Sequence, residues 1–341
     1  GIDITRNEMV GKTGSGSQAY TGVISGAGDL RKSSSGSLQL SGLNTYTGAT
    51  IISGGALSVA SSGSLSDSTI IDLSSGASYQ LGDNETIAGL KGAGSVDLNK
   101  KALTINQAEL TESIFSGGIS GAPGATLVKT GAGKFILSGN NDIKSSITIQ
   151  DGTLAASVSG ALTNETDVIV NSPGVFSVLA DNSIERLSGS GSVRLDSSAL
   201  SARSTSDTTF SGVISGNGSF EKVGSAILTF TGANTYSNGT RINGGTLLVG
   251  STGSLNQDAK VFVGSTGTYE LKSDASVASI DGSGSIGLGS STLTVGHDNT
   301  NQTFSGVISG AGDFAKVGSG TLSLSGVNTF SGSVQMNGGT I

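Results

Sequence analysis

The chain is 341 residues long, with 56 glycines, two prolines, one histidine, no cysteine and no tryptophan. Charged residues make up 13 % of it, about half the usual share of ~25 %, and 18 basic against 25 acidic side chains leave a formal net charge of −7. That balance argues against nucleic acid or an anionic membrane as partner, since both need clustered Lys and Arg; the missing cysteines exclude disulfides, zinc–thiolate sites and thiol catalysis.

From the amino terminus, the first apolar run is "IDI" (2–4), followed by "YTGVISGAGDL" (20–30). Then come the alternating "SLQLSG" (37–42), "LSGLNTYTG" (40–48), "SGGAL" (53–57), "GLKGAGSVDL" (89–98) and "LTI" (103–105). Alternation over four to six residues between Gly, Ser and Asn clusters predicts half-buried strands. With 35 % hydrophobic residues held to that period, the chain is no disordered Gly/Ser linker. Nowhere do ~18 apolar residues run together, so no transmembrane helix is predicted and this segment does not insert into a membrane.

After "LTI" the same elements return in the same order. The aromatic that opens the motif is Tyr20, Phe115, Phe210 and Phe304, at intervals of 95, 95 and 94 residues. "SGGAL" recurs as "QDGTL" (150–154), "NGGTL" (243–247) and "NGGTI" (337–341). "LSGLNTYTG" recurs as "LSGNNDIKS" (137–145), "TGANTYSNG" (231–239) and "LSGVNTFSG" (324–332). Length changes fall in polar loops, around Pro123-Gly124 and near "SARSTSDTT" (201–209). A unit of 95 residues is too long for one elementary repeat. At roughly twenty residues per coil it holds four or five coils of a parallel β-helix, about 15 in the chain. Inward Leu, Ile, Val and Phe would stack along the axis, and Gly and Asn would take the corners. A string of small β-sandwiches is disfavoured by the absence of Trp and of linkers. The expected organisation is a single continuous β-helix fragment over 1–341, with super-repeats starting near 20, 115, 210 and 304 and both ends cut in mid-repeat.

The stretch "KVGSGTLSLSGVNTFSG" with its following "GGTI" (316–341) resembles the passenger-associated transport repeat of autotransporter passengers. Similar copies run through 31–59, 128–156 and 221–249, with Ser34 and Ala226 replacing glycines of the motif. The resemblance, closest to the self-associating, adhesin-type members, implies a right-handed parallel β-helix. It also implies a Gram-negative cell-surface or secreted location and a C-terminal β-barrel translocator in the full-length protein. The partners it implies are a host-cell surface protein, matrix or glycan, or self-association, in a virulence role.

No catalytic, cofactor-binding or metal-binding residue is assigned. His297, in the polar "VGHDNTNQ", is expected to be an exposed loop residue, with no nucleophile motif beside it. "GSGSIG" (282–287) fits G-x-G-x-x-G but precedes no helix, and is expected to be a β-helix corner. Lys32, Lys129, Lys222 and Lys316 share one register. They are expected to be solvated scaffold positions rather than a basic column for an anion. Asn44, Asn140, Asn234 and Asn328 are expected at left-handed corners, and Tyr20, Phe115, Phe210 and Phe304 as core plugs. Scattered acids, among them Asp29, Glu221 and Asp313, give no local carboxylate pair for a polysaccharide-cleaving β-helix. The function expected is a structural stalk or adhesin, with a released soluble effector and a carbohydrate-active enzyme as alternatives.

Overall fold

A computed structural model describes residues 2–4, 9–11 and 15–341, the strand 9–11 by its backbone alone. Every described regular element is a short β-strand, and every described strand pairing is parallel. The fold is a parallel β-solenoid of about 16 turns, one more than the sequence suggested. The chain divides into two compact units, Gly1–Phe176 and Ser177–Ile341.

In the first unit three rows of strands stack. One runs from Ser17–Tyr20 through Ser37–Leu40, Ala56–Val59, Ser78–Gln80 and Ser95–Asp97 to Gly118–Gly121 and Asp142–Ile143. A second includes Leu30–Lys32, Thr50–Ile52, Ile70–Leu73, Gly89–Gly92, Glu112–Phe115, Lys134–Leu137 and Thr153–Ala156. The third includes Glu85–Ile87, Ala102–Asn106, Thr126–Thr130, Ser146–Ile149 and Asp167–Val170. The second unit repeats the plan. Its longest row runs from Asn182–Ile184 through Ala199–Ala202, Ser219–Lys222, Thr240–Ile242, Lys260–Val263, Ser279–Gly282 and Gln302–Phe304 to Leu322–Leu324.

Alternation along each strand sends every second side chain inward, and parallel in-register pairing then stacks like on like. Leu38, Leu57, Tyr79, Val96 and Ile119 form one such buried ladder. Leu103, Leu127, Ile147 and Val168 form another. Phe115, Phe210 and Phe304 are fully buried, as expected of core plugs. Tyr20 is only half-buried. The Gly two residues after each buried plug is fixed by space rather than by φ. A Cβ on Gly117, Gly212 or Gly306 would stand 2.7 Å from the Cζ of Phe115, Phe210 or Phe304, and under 2 Å from the carbonyl of the preceding coil.

The super-repeat is out of step with the coil. In the first unit, four turns carry the second row from Leu30–Lys32 to Glu112–Phe115; Thr126–Thr130, the counterpart of Leu30–Lys32, then falls on the third row. The second unit behaves alike: Lys222 lies in its longest row, while Lys316 lies in a separate row with Ala275–Val277, Leu293–Val295 and Val334–Met336. Within each unit, the two copies of the motif therefore lie on different faces, two-thirds of a turn apart.

Candidate functional site

The motif residues point inward, and two expectations about them fail. The four lysines are not solvated: Lys32, Lys129 and Lys222 are completely buried and Lys316 nearly so. Each occupies an inward position of an apolar ladder, Lys129 between Ile105 and Ile149, and Lys222 between Ala202 and Ile242. The four-carbon stem fills the core, and the ammonium is caught at the corner by backbone carbonyls. Lys222 Nζ donates to the carbonyls of Val223 (2.8 Å), Gly224 (3.0 Å) and Gly244 (3.2 Å). Lys129 Nζ donates to those of Thr130 (2.7 Å), Gly131 (2.6 Å) and Asp151 (3.3 Å). Lys32 Nζ reaches Ser34 and, one coil on, the Gly54 carbonyl at 3.0 Å. Burial pulls Lys129 and Lys222 down to about 8, against the opposing pull of Asp151 and Asp207. The carbonyl reached one coil on belongs each time to the residue before a glycine at φ 61–64°, namely Gly55, Gly152 and Gly245. That left-handed turn aims the carbonyl at the ammonium, which explains why the lysine and the G-G-T-L element travel together.

The asparagines are not left-handed corner residues either. Asn44, Asn234 and Asn328 are absent from the positive-φ positions, which include Asn99 and Asn299 instead. Their side chains span coils. Asn234 Oδ1 accepts the Ile214 N–H (2.9 Å), and its Nδ2 donates to the carbonyls of Gly232 (3.0 Å) and Ser254 (3.2 Å). Asn44 does the same with Ile24, Gly42 and Ser64. In the second copy the residue in this role is Asn141, bonded to Ile119, Gly139 and Ala161, while Asn140 is exposed. Glu85 takes a similar part, its Oε2 accepting the Leu65 N–H and the Tyr79 hydroxyl.

The remaining expected positions lie where the sequence put them. "GSGSIG" forms a corner between Ser279–Gly282 and Ser285–Gly287, with Gly282 at φ 108°. His297 is exposed, and its Nε2 meets the Ser276 hydroxyl at 2.7 Å. The neighbouring Asp298 does not orient that imidazole in any described bond. Its carboxylate is engaged by Gln302 Nε2 (3.0 and 3.2 Å), the Thr300 N–H (3.1 Å) and Lys260 Nζ (3.6 Å). Burial alone would raise Asp298, but the Thr300 and Ser279 hydrogen bonds and the Lys260 charge hold it below the usual carboxylate range. Among the described residues no group of three or more His, Asp or Glu side chains could hold a metal.

A cleft of about 930 Å³ lies on the outer face of the second unit's longest row. Its floor is a column of outward side chains on consecutive coils, Arg241, Phe262, Asp281 and Thr303. The Arg241 guanidinium carbon lies 4.3 Å from the centre of the Phe262 ring, a cation–π contact. Lys260 and Asn301 border the floor, with Thr300 from the 296–301 turn and Gln302 at the start of the next strand, both tied down by Asp298. Sequence reasoning singled out none of these residues as a site, because each lies outside the shared motif or, like Arg241, at a position the motif leaves variable. The available signal was their departure from it: Ile51 and Thr148 stand where Arg241 does, and Asp72 and Ile169 where Phe262 does. On the same column Glu221 and Asp281 lie three strands apart, ~14 Å at the usual strand spacing. Paired glycosidase carboxylates stand ~5–9.5 Å apart.

In this parallel solenoid the repeated Lys, Asn and Phe serve stacking between coils, while letters that differ between copies, such as Arg241 and Phe262, lie outside. The passenger-associated transport repeat matches at residues 30–59, 127–156, 220–249 and 314–341. The chain is also 34 % identical over 361 residues to the adhesin BmaC autotransporter of Brucella suis biovar 1 (strain 1330), across 98 % of its own length and 10 % of that relative. The four repeats and this similarity support an autotransporter passenger domain, surface-exposed or secreted by way of the outer membrane. The chain spans about a tenth of the length of the relative it matches. No solved structure matches it.

Proposed function

We propose that this chain is an adhesin segment, a stalk that presents binding surface for host-cell or cell–cell contact. The observation that carries the proposal is the similarity to an autotransporter adhesin along 98 % of the chain. The distribution of side chains supports it. Lys, Asn, Gly and Phe of the repeat are consumed by stacking, so recognition is left to outward positions that differ from copy to copy. The Glu221–Asp281 separation and the engagement of Asp298 elsewhere favour binding over hydrolysis at the cleft. In the full-length protein the passenger works with a C-terminal translocator that carries it across the outer membrane.

Display of the chain on non-adherent cells tests the proposal. Attachment to host cells, or aggregation, should rise over cells displaying the translocator alone. Unchanged attachment and aggregation would reduce the segment to a spacer. Recovery of the passenger in the medium, unattached to cells, would favour a soluble ligand.

A further inference from the structure

The cleft in the second unit is built from residues the repeat does not require, and its polar groups are only partly committed. Among the described residues, Arg241 makes no ion pair, although Glu221 is its neighbour on one side in the column. Asp281 accepts the Gly282 N–H with Oδ1 at 2.6 Å, which leaves Oδ2 without a protein donor. Asn301 accepts the Thr321 N–H with Oδ1 at 2.8 Å, which leaves its amide N–H groups to donate. The wall is braced, because Gln302 is fully engaged by Asp298, Thr300 and the Ile280 N–H. Donors and an acceptor thus alternate along a fixed groove, over a floor that steps ~4.8 Å per coil.

We propose that this cleft binds a short stretch of a neutral, hydroxyl-rich saccharide lying along the stack of coils. The inference rests on the adhesin proposal and deepens it by giving it a site and a ligand class. Vicinal hydroxyls both donate and accept, so a sugar ring satisfies the Asp281 carboxylate with its O–H groups and Arg241 and Asn301 with its oxygens. The Arg241–Phe262 contact places a guanidinium beside an aromatic ring on the groove floor, where a sugar can meet both a donor and an apolar face. From Arg241 to Asp281 is two coils, ~10 Å, the reach of about two pyranose units. Charge decides against an acidic saccharide. Arg241 and Lys260 are balanced by Asp281 and Asp298, with Glu221 beside Arg241, so the cleft carries no positive excess to attract an anion.

The test is titration of the 341-residue chain with neutral tetra- to hexasaccharides (chito-, cello- and malto-oligosaccharides) and with uronic and sulfated oligosaccharides. At least one neutral series should bind, with little change between low and physiological salt. Arg241→Ala and Asp281→Ala should each weaken binding about tenfold or more, as loss of charge-assisted hydrogen bonds requires. Thr303→Trp, which fills the groove without removing a charge, should abolish it. Lys144→Ala, an exposed change in the first unit, should leave it intact, and circular dichroism should show all four variants folded. Failure of every neutral oligosaccharide to bind, binding confined to acidic ones with steep salt dependence, or binding untouched by the cleft substitutions would each overturn the proposal. Cells displaying the Arg241→Ala chain separate the two levels. If they adhere like wild type while no oligosaccharide binds, the cleft proposal falls and the adhesin one stands. If wild type binds oligosaccharide but does not adhere, the reverse holds.

Discussion

At the scale of single residues, two buried polar groups show what the repeat tolerates. The hydroxyl of Tyr79 is satisfied by Glu85, but that of its counterpart Tyr269 is buried without a partner, because Ala275 stands where Glu85 stands. Phe176 occupies the same position in the intervening copy. Tyr269→Phe should therefore raise the urea midpoint, by about 1 kcal/mol of stability, since an unmet buried hydroxyl is removed; a lower midpoint would show that the hydroxyl is in use. Glu85 itself is pushed up to about 7, chiefly by burial and further by Asp67 and Asp83, while the Leu65 N–H and the Tyr79 hydroxyl hold it back. Its ordinary value is 4.5. Between the two the folded chain keeps a proton that the unfolded chain has lost, so Glu85 favours folding fully below the lower value, and the advantage fades as pH rises through the upper one. Glu85→Gln should flatten that slope and add stability, roughly 2–3 kcal/mol, above neutrality. Denaturation of both proteins at pH 5 and pH 8 measures it, and parallel pH profiles would contradict the assignment. This site could not be found from the sequence, because an isolated Glu gives no sign of which carboxylates are buried.

At the scale of the coil, the strands, the glycine corners and the aromatic plugs were legible, because alternation and spacing are local properties. The lysines were legible too, yet they were assigned outward. In "LRK" (30–32) period two puts Lys32 on the same side as Leu30, although a lone charge in an apolar ladder is otherwise costly to bury. What the sequence did not display was the ring of carbonyls contributed by the next coil, which makes an inward ammonium stable. The asparagine was misplaced by one residue for a simpler reason: in "GNND" (139–142) two adjacent asparagines compete, and only the one two residues beyond Gly139 can bridge coils. The lysine clamp joins two coils, and its loss should be felt by both. Lys222→Met keeps the apolar stem but leaves the carbonyls of Val223, Gly224 and Gly244 without their donor, a cost of about 2–4 kcal/mol. A urea midpoint equal to that of wild type would mean that the carbonyls are met by water instead.

At the scale of the whole molecule, the super-repeat period was read correctly from the aromatic spacing, but its relation to the turn was not. Residue counts gave four or five coils per repeat; the row assignments give four turns and two strands more. The cleft was hidden for the same reason, since the neighbours that build it are known only once coils are in register. A repeat that is self-similar should be removable. Deleting residues 210–303, so that Phe304 takes the place of Phe210, should leave a folded all-β protein with lower stability, as nearest-neighbour stacking predicts. Loss of the β signal in circular dichroism would break the claimed equivalence. The offset between repeat and turn has one more effect. It works like a vernier: within each unit, equal letters of neighbouring copies never come into line on one face. An outward patch such as Arg241–Phe262 is therefore flanked along its own face by unrelated neighbours. The repeated lysine, asparagine and phenylalanine are spent in the interior, and outward positions such as Arg241 and Phe262 are left free to differ turn by turn.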